Sequence, residues 1–140
     1  MKLHIVARGR IGRGPEAELV ARYAKRITWP FAVSELPETG GRVSDAATPA
    51  KTVALDEGGE ALTSVALAKL LEGWRDNGVR EVRFLIGAAD GLSDAERASA
   101  DTCMSFGTAT WPHLMVRAML AEQLYRATTI IAGHPYHREG

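Results

Sequence analysis

The chain has 140 residues, 46% of them apolar, and its 17 basic side chains balance 17 acidic ones. That length supports one domain, residues 1–140, with a real core, and apolar runs of only a few residues exclude a helical membrane span. Cys103 is the one cysteine, which excludes an internal disulfide and fits a reducing cytoplasm; the start, Met1-Lys2-Leu3-His4-Ile5, lacks the apolar stretch of a secretory leader.

Net charge hides an uneven distribution. Residues 2–26 carry Lys2, Arg8, Arg10, Arg13, Arg22, Lys25 and Arg26 against Glu16 and Glu18, and residues 35–60 are mostly acidic. Thirteen arginines stand against four lysines, and the guanidinium fork suits phosphate better than an ammonium does. A solvated helix face explains the same charges without any partner.

In chain order, residues 3–7 predict a strand, followed by a Gly/Arg loop. Pro15 opens a helix to about Ile27, with Leu19, Val20, Tyr23 and Ile27 on one face. Residues 31–36 form a second strand, and residues 37–50, rich in Pro, Gly, Ser and Thr, form a loop. Residues 52–55 are a short buried strand ending at Asp56. Thr63 or Ser64 caps the next helix, whose Leu67, Leu70, Leu71 and Trp74 share a face before Asn77-Gly78 stops it. Residues 82–86 are the strongest strand and run into Gly87-Ala88-Ala89-Asp90-Gly91, where small residues let the backbone approach a ligand. Ser93 and Glu96 make a capping box. Residues 102–106 form a fifth strand, residues 107–111 a turn, and Pro112 opens a last helix to about Thr128. Strands alternating with helices predict an α/β fold, a mostly parallel sheet with helices on both faces.

Ligands in such sheets bind beyond the carboxyl ends of the strands. Three ends stand out: Leu55-Asp56, residues 87–91 and residues 106–111. No P-loop, dinucleotide fingerprint or hydrolase elbow is present. His134 and His137 lack the carboxylate or Cys companions of a metal site, so no metal is expected. In the last helix Met115, Val116, Met119, Leu120 and Leu124 form an apolar stripe for the core or for a dimer, and Glu122 and Arg126 form an i, i+4 pair.

Taken together, "LIGAADGLS" (85–93), "WPHLMVRAMLAEQLYRA" (111–127) and "HPYHRE" (134–139) resemble the ribosomal RNA large-subunit pseudouridine methyltransferase H family of the SPOUT superfamily. The start "MKLHIVARG" and the strand "VALDEGG" are also similar to it, so the resemblance covers the chain. It implies a C-terminal trefoil knot, a homodimer, S-adenosylmethionine as methyl donor, and methylation of N3 of a pseudouridine in ribosomal RNA, the helix 69 loop, on the assembled ribosome.

By match, the resemblance places the donor at Leu55, Gly87, Phe106, Gly107, Thr108, Ala109, Thr110 and Trp111. His134, Tyr136 and Arg138 are the candidates for catalysis, and His113, Arg117, Arg126 and His137 for the substrate, with Arg117 and Arg126 better suited to pairing within the dimer than to touching RNA. The chain departs from the family at Gly87-Ala88, where two glycines are usual, and at Ala89-Asp90. A sulfonium-borne methyl is already electrophilic, so the chemistry asks for in-line placement, help in removing the N3 proton, and stabilisation of the resulting anion. Two other readings stay open: an RNA- or ribosome-binding module without catalysis, and a SPOUT methyltransferase acting on transfer RNA.

Overall fold

The computed structural model describes residues 1–138. Five strands, β1 (Lys2–Arg8), β2 (Phe31–Leu36), β3 (Ala50–Ala61), β4 (Glu81–Ile86) and β5 (Thr102–Ser105), form one sheet. Their order is β2-β1-β4-β3-β5 and every pairing is parallel. Four helices connect or follow them: α1 (Pro15–Arg26), α2 (Ser64–Asp76), α3 (Asp94–Ser99) and α4 (His113–Ala132).

Parallel crossovers are right-handed. The β1–α1–β2 and β3–α2–β4 units step the same way across the sheet, which puts α1 and α2 on one face; β4–α3–β5 steps the other way, which puts α3 on the opposite face. The last helix, α4, packs between α1 and α2 and touches central strands β1 and β4, although it follows edge strand β5.

Covered on both sides, β1 buries five successive residues, 3–7, as strands sandwiched between layers do. Leu3, Ile5 and Ala7 join Val53, Leu55, Val82, Phe84, Leu67, Leu71, Leu120 and Leu124 in the main core. His4 faces the other side and is buried with both ring nitrogens engaged: Nδ1 lies 3.1 Å from Glu81 and Nε2 2.7 Å from Ser34 Oγ. Glu81 also accepts from Arg83 and from the Ala47 amide, and Arg83 donates to the Ser44 carbonyl, so this polar cluster ties the 37–49 loop to the sheet.

Local signals place most boundaries. Thr63 accepts from the Ala66 amide at the start of α2, and the Ser93–Glu96 capping box is complete at α3. Two expectations need correction. The last helix continues to Ala132, beyond Thr128, because its final turns are still covered: Ala127, Thr128 and Thr129 are buried. The third strand continues past Asp56 to Ala61. Its pairing with β5 shifts between Leu55 and Glu60, both of which face Met104, so residues 56–59 bulge out, with Asp56 accepting from the Gly58 amide.

Candidate active site

The carboxyl ends of β3, β4 and β5 open into a cleft of about 660 Å³. All three strand ends singled out from the sequence line it. Leu55, Gly87, Phe106, Gly107, Ala109, Thr110 and Trp111 lie on its wall; Thr108 is exposed and does not. Buried Leu55, Ile86 and Met104 make an apolar floor.

Two contacts shape the rim. Thr110 Oγ1 donates to Glu57 Oε2 at 3.2 Å, joining the β3 bulge to the turn after β5. The Trp111 indole N–H donates to the Phe106 carbonyl at 3.2 Å, closing that turn while 40% of the residue stays exposed. A Cβ at Gly87 would lie 2.3 Å from the Gly91 carbonyl carbon, so the glycine lets the 87–91 loop close tightly on itself at the cleft wall.

Asp56, part of a strand end singled out from the sequence, lines the cleft, as do Ile86, Arg97, Met104 and Val116, which sequence reasoning gave no site role. Arg97 pairs with Asp94 and lies 3.8 Å from Asp56. The signal for it was available: the capping box fixes the start of α3, and Arg97 is the one basic residue on that helix. His113, the first residue of α4, is half-buried at the cleft mouth.

The C-terminal tail lies elsewhere. None of residues 134–138 lines the cleft. The tail folds back along α4: the Tyr136 hydroxyl donates to Glu122 at 3.1 Å, and its ring meets Tyr125 edge-on at 4.6 Å. Arg126 sits 4.8 Å from the centre of the Tyr136 ring, pairs with Glu122 at 2.7 Å and contacts His137 Nδ1 at 3.0 Å. Burial and the Glu122 carboxylate push the Tyr136 hydroxyl up to about 12, so it stays protonated and acts as a donor. His134 and Arg138 are exposed, and His134 Nδ1 accepts from the Tyr136 amide. Glu139, in the last matched motif, lies outside the described residues.

Arg117 presents no face to a substrate. It is 1% exposed, with Nη1 on Glu35 at 2.5 Å and Nη2 on the Gly9 carbonyl at 3.1 Å. The apolar stripe of α4 also divides. Leu120 and Leu124 are fully buried in the chain's own core, whereas Met115 is 39% exposed. Met115 and Met119 line a groove of about 420 Å³ with Leu19 and Tyr23 of α1 and with Phe106, which the groove shares with the cleft. Among the described residues no group of three or more His, Cys, Asp or Glu side chains is placed to hold a metal ion. No helix there is long and apolar enough to cross a membrane.

A parallel α/β sheet with a cleft at its carboxyl edge, walled by the turn that leads into the last helix, is the architecture on which the class of this protein is read. Residues 1–137 match the family described as predicted SPOUT methyltransferase. The structure is similar to a probable methylase family protein of Haemophilus influenzae Rd KW20, with a TM-score of 0.62 at 9% identity over 99% of this chain and 70% of that one. It is also similar to the SpoU methyltransferase AviRb of Streptomyces viridochromogenes in complex with AdoMet, with a TM-score of 0.55 at 15% identity over 91% and 57%. In sequence the chain is 69% identical over 140 residues to the ribosomal RNA large subunit methyltransferase H of Sphingopyxis alaskensis, covering 100% of this chain and 99% of that one. The chain belongs to the ribosomal RNA large subunit methyltransferase H family.

Proposed function

We propose that this protein transfers the methyl group of S-adenosylmethionine to N3 of a pseudouridine in the helix 69 loop of large-subunit ribosomal RNA, on the assembled ribosome in the cytoplasm. One observation carries the reading: the three strand ends matched to the family's donor site converge on a single cleft. The 69% identity over the whole chain supports the RNA assignment.

The cleft fits the donor. Its volume of about 660 Å³ lies within the roughly 300–1,000 Å³ of small-molecule sites. Leu55, Ile86, Met104 and Phe106 offer apolar contact for an adenine, and Asp56 and Glu57 offer acceptors for ribose hydroxyls. Bound there, the donor supplies a methyl on a positively charged sulfur, ready for displacement by a nitrogen nucleophile. The protein's part is to hold that nitrogen in line and keep water out. His113, at the cleft mouth, can accept the N3 proton or hydrogen-bond a flanking carbonyl.

The tail completes the site from a second copy of the chain. Within one chain, Glu122, where Tyr136 docks, stands nine residues beyond His113, roughly 13 Å along the helix axis. The groove lined by Met115, Met119, Leu19 and Tyr23 is apolar and adjoins the cleft through Phe106, so a homodimer formed on it would set one chain's tail near the other's cleft. His134 and Arg138 are exposed for that role, Arg138 to stabilise the pyrimidine anion or hold a phosphate and His134 to carry the proton. Tyr136 keeps the tail in place against Glu122, and Arg126 and His137 brace it. The return of α4 from the edge of the sheet to its centre is the path that a trefoil knot requires.

The test is transfer of labelled methyl from S-adenosylmethionine to 70S ribosomes, free large subunits and transfer RNA, each lacking the modification. Labelling of 70S ribosomes alone supports the reading. Labelling of transfer RNA, or of nothing with donor bound, overturns it.

A further inference from the structure

The loop between β1 and α1, residues 9–14, is Gly-Arg-Ile-Gly-Arg-Gly, and neither the cleft nor the tail accounts for it. Two hydrogen bonds fix it, one part-buried and one exposed. Arg117, from the middle of the molecule, donates to the Gly9 carbonyl at 3.1 Å. Glu35, neutralised by the same Arg117, accepts the Ile11 amide at 2.8 Å. Hydrogen bonds from Arg117 and Ile11, with the charges of Arg117 and Arg10, outweigh burial and hold the Glu35 carboxyl below its ordinary range. Gly9 and Gly12 have φ of +88° and +72°, a left-handed conformation that other residues resist. Arg10, Gly12 and Arg13 are therefore presented outward on a fixed turn.

Location gives the turn its meaning. A Cβ at Gly9 would lie 3.9 Å from His113 Nε2, so the loop stands beside the cleft mouth. Neither Arg10 nor Arg13 forms a salt bridge among the described residues. The nearest acidic side chains in sequence, Glu16 and Glu18, sit in the first turn of α1. The Arg117–Glu35 pair, buried at Arg117 and 38% exposed at Glu35, fixes the register of a loop that carries two exposed guanidinium groups.

We propose that the 9–14 turn is a phosphate-binding element for the RNA substrate, and that the Arg117–Glu35 pair is its positioning device. Arg10 and Arg13 grip the backbone flanking the target base, and the base enters past His113. The proposal rests on the RNA methyltransferase reading above.

The test measures methyl transfer to unmodified 70S ribosomes as a function of ribosome and salt concentration. Arg10→Ala/Arg13→Ala should raise KM for ribosomes about tenfold and flatten the slope of log KM against log salt by about 1.5, as loss of two phosphate contacts requires. The donor Kd should be unchanged. Arg117→Met/Glu35→Met removes both charges while filling the space; it should raise KM comparably, and adding the two Arg→Ala changes to it should raise KM little further. Wild-type KM and salt slope in Arg10→Ala/Arg13→Ala would overturn the proposal while leaving the methyltransferase reading intact. Absence of transfer by the wild-type protein would overturn both.

Discussion

The Tyr136 hydroxyl donates to the Glu122 carboxylate 3.1 Å away, across fourteen residues of sequence, and so lays the C-terminal tail along α4 instead of over the chain's own cleft. On the proposed reading, donor binding and the tail are therefore separable within one chain. Arg138→Ala should cut methyl transfer at least tenfold while leaving the donor Kd within twofold of wild type. Calorimetry with S-adenosylmethionine beside a transfer assay checks both, and equal loss of donor binding would place Arg138 in the donor pocket instead.

The same hydrogen bond can be read optically. Tyr136 should ionise near pH 12 in a titration followed near 295 nm. Because its folded value lies above the ordinary value of 10.0, the bond's contribution to stability is full below pH 10 and fades as pH rises towards 12. Tyr136→Phe should lower stability by about 1 kcal/mol at neutral pH and abolish the late optical step. A late step that persists in that variant would belong to another tyrosine.

Much of this site was legible in the sequence because its determinants are local. Small residues after an apolar strand mark a strand end, and seven of the eight residues assigned to the donor line one cleft. The chemistry of the tail was equally visible, since His134, Tyr136, His137 and Arg138 stand together. Its placement was not, because that depends on Glu122 and Tyr125 receiving Tyr136, a contact that no periodicity encodes. Arg117 was misjudged for a related reason. It reads as a polar interruption, yet Leu120, Ala121 and Leu124 follow it at i+3, i+4 and i+7 and are all fully buried. That spacing puts Arg117 on the buried face, and its partner, Glu35, lies 82 residues away.

Gly87 offers a stability test as well as a binding test. Its missing Cβ would meet the Gly91 backbone at 2.3 Å and the Leu92 amide nitrogen at 2.6 Å. Gly87→Ala should therefore lower Tm by several degrees, about 1–3 kcal/mol, and weaken donor binding together with it. Wild-type Tm with donor binding abolished would mean that the space belongs to the ligand after all.

Acid should loosen the far face of the sheet. Burial lowers the His4 value below 6.5 against the opposing hydrogen bond to Glu81. Burial raises Glu81, but hydrogen bonds from Arg83 and His4 prevail and leave it at about 2. In both cases the unfolded state binds the proton more tightly, so stability falls on acidification. The His4 contribution is lost as pH drops below 6.5, and the Glu81 contribution as it drops from 4.5 towards 2. Denaturant unfolding across this range should show both losses, and His4→Gln should remove the one nearer neutrality. An unchanged pH profile in that variant would refute the assignment.

Met119 lines the apolar groove between α1 and α4, adjoining the cleft. If the proposed homodimer forms on this groove, Met119→Asp should yield monomers in light scattering, because an unpaired charge would be buried at the interface, and should abolish methyl transfer while donor still binds. A wild-type monomer with full activity would remove the second chain from the site.

The most direct measurement of the central claim is mass spectrometry of large-subunit RNA fragments after incubating unmodified 70S ribosomes with the protein and S-adenosylmethionine. The account predicts one added methyl, located on N3 of a pseudouridine in the helix 69 loop and absent when the tail from His134 onward is deleted. A methyl found on another nucleotide, or full transfer by the tail-less protein, would contradict it.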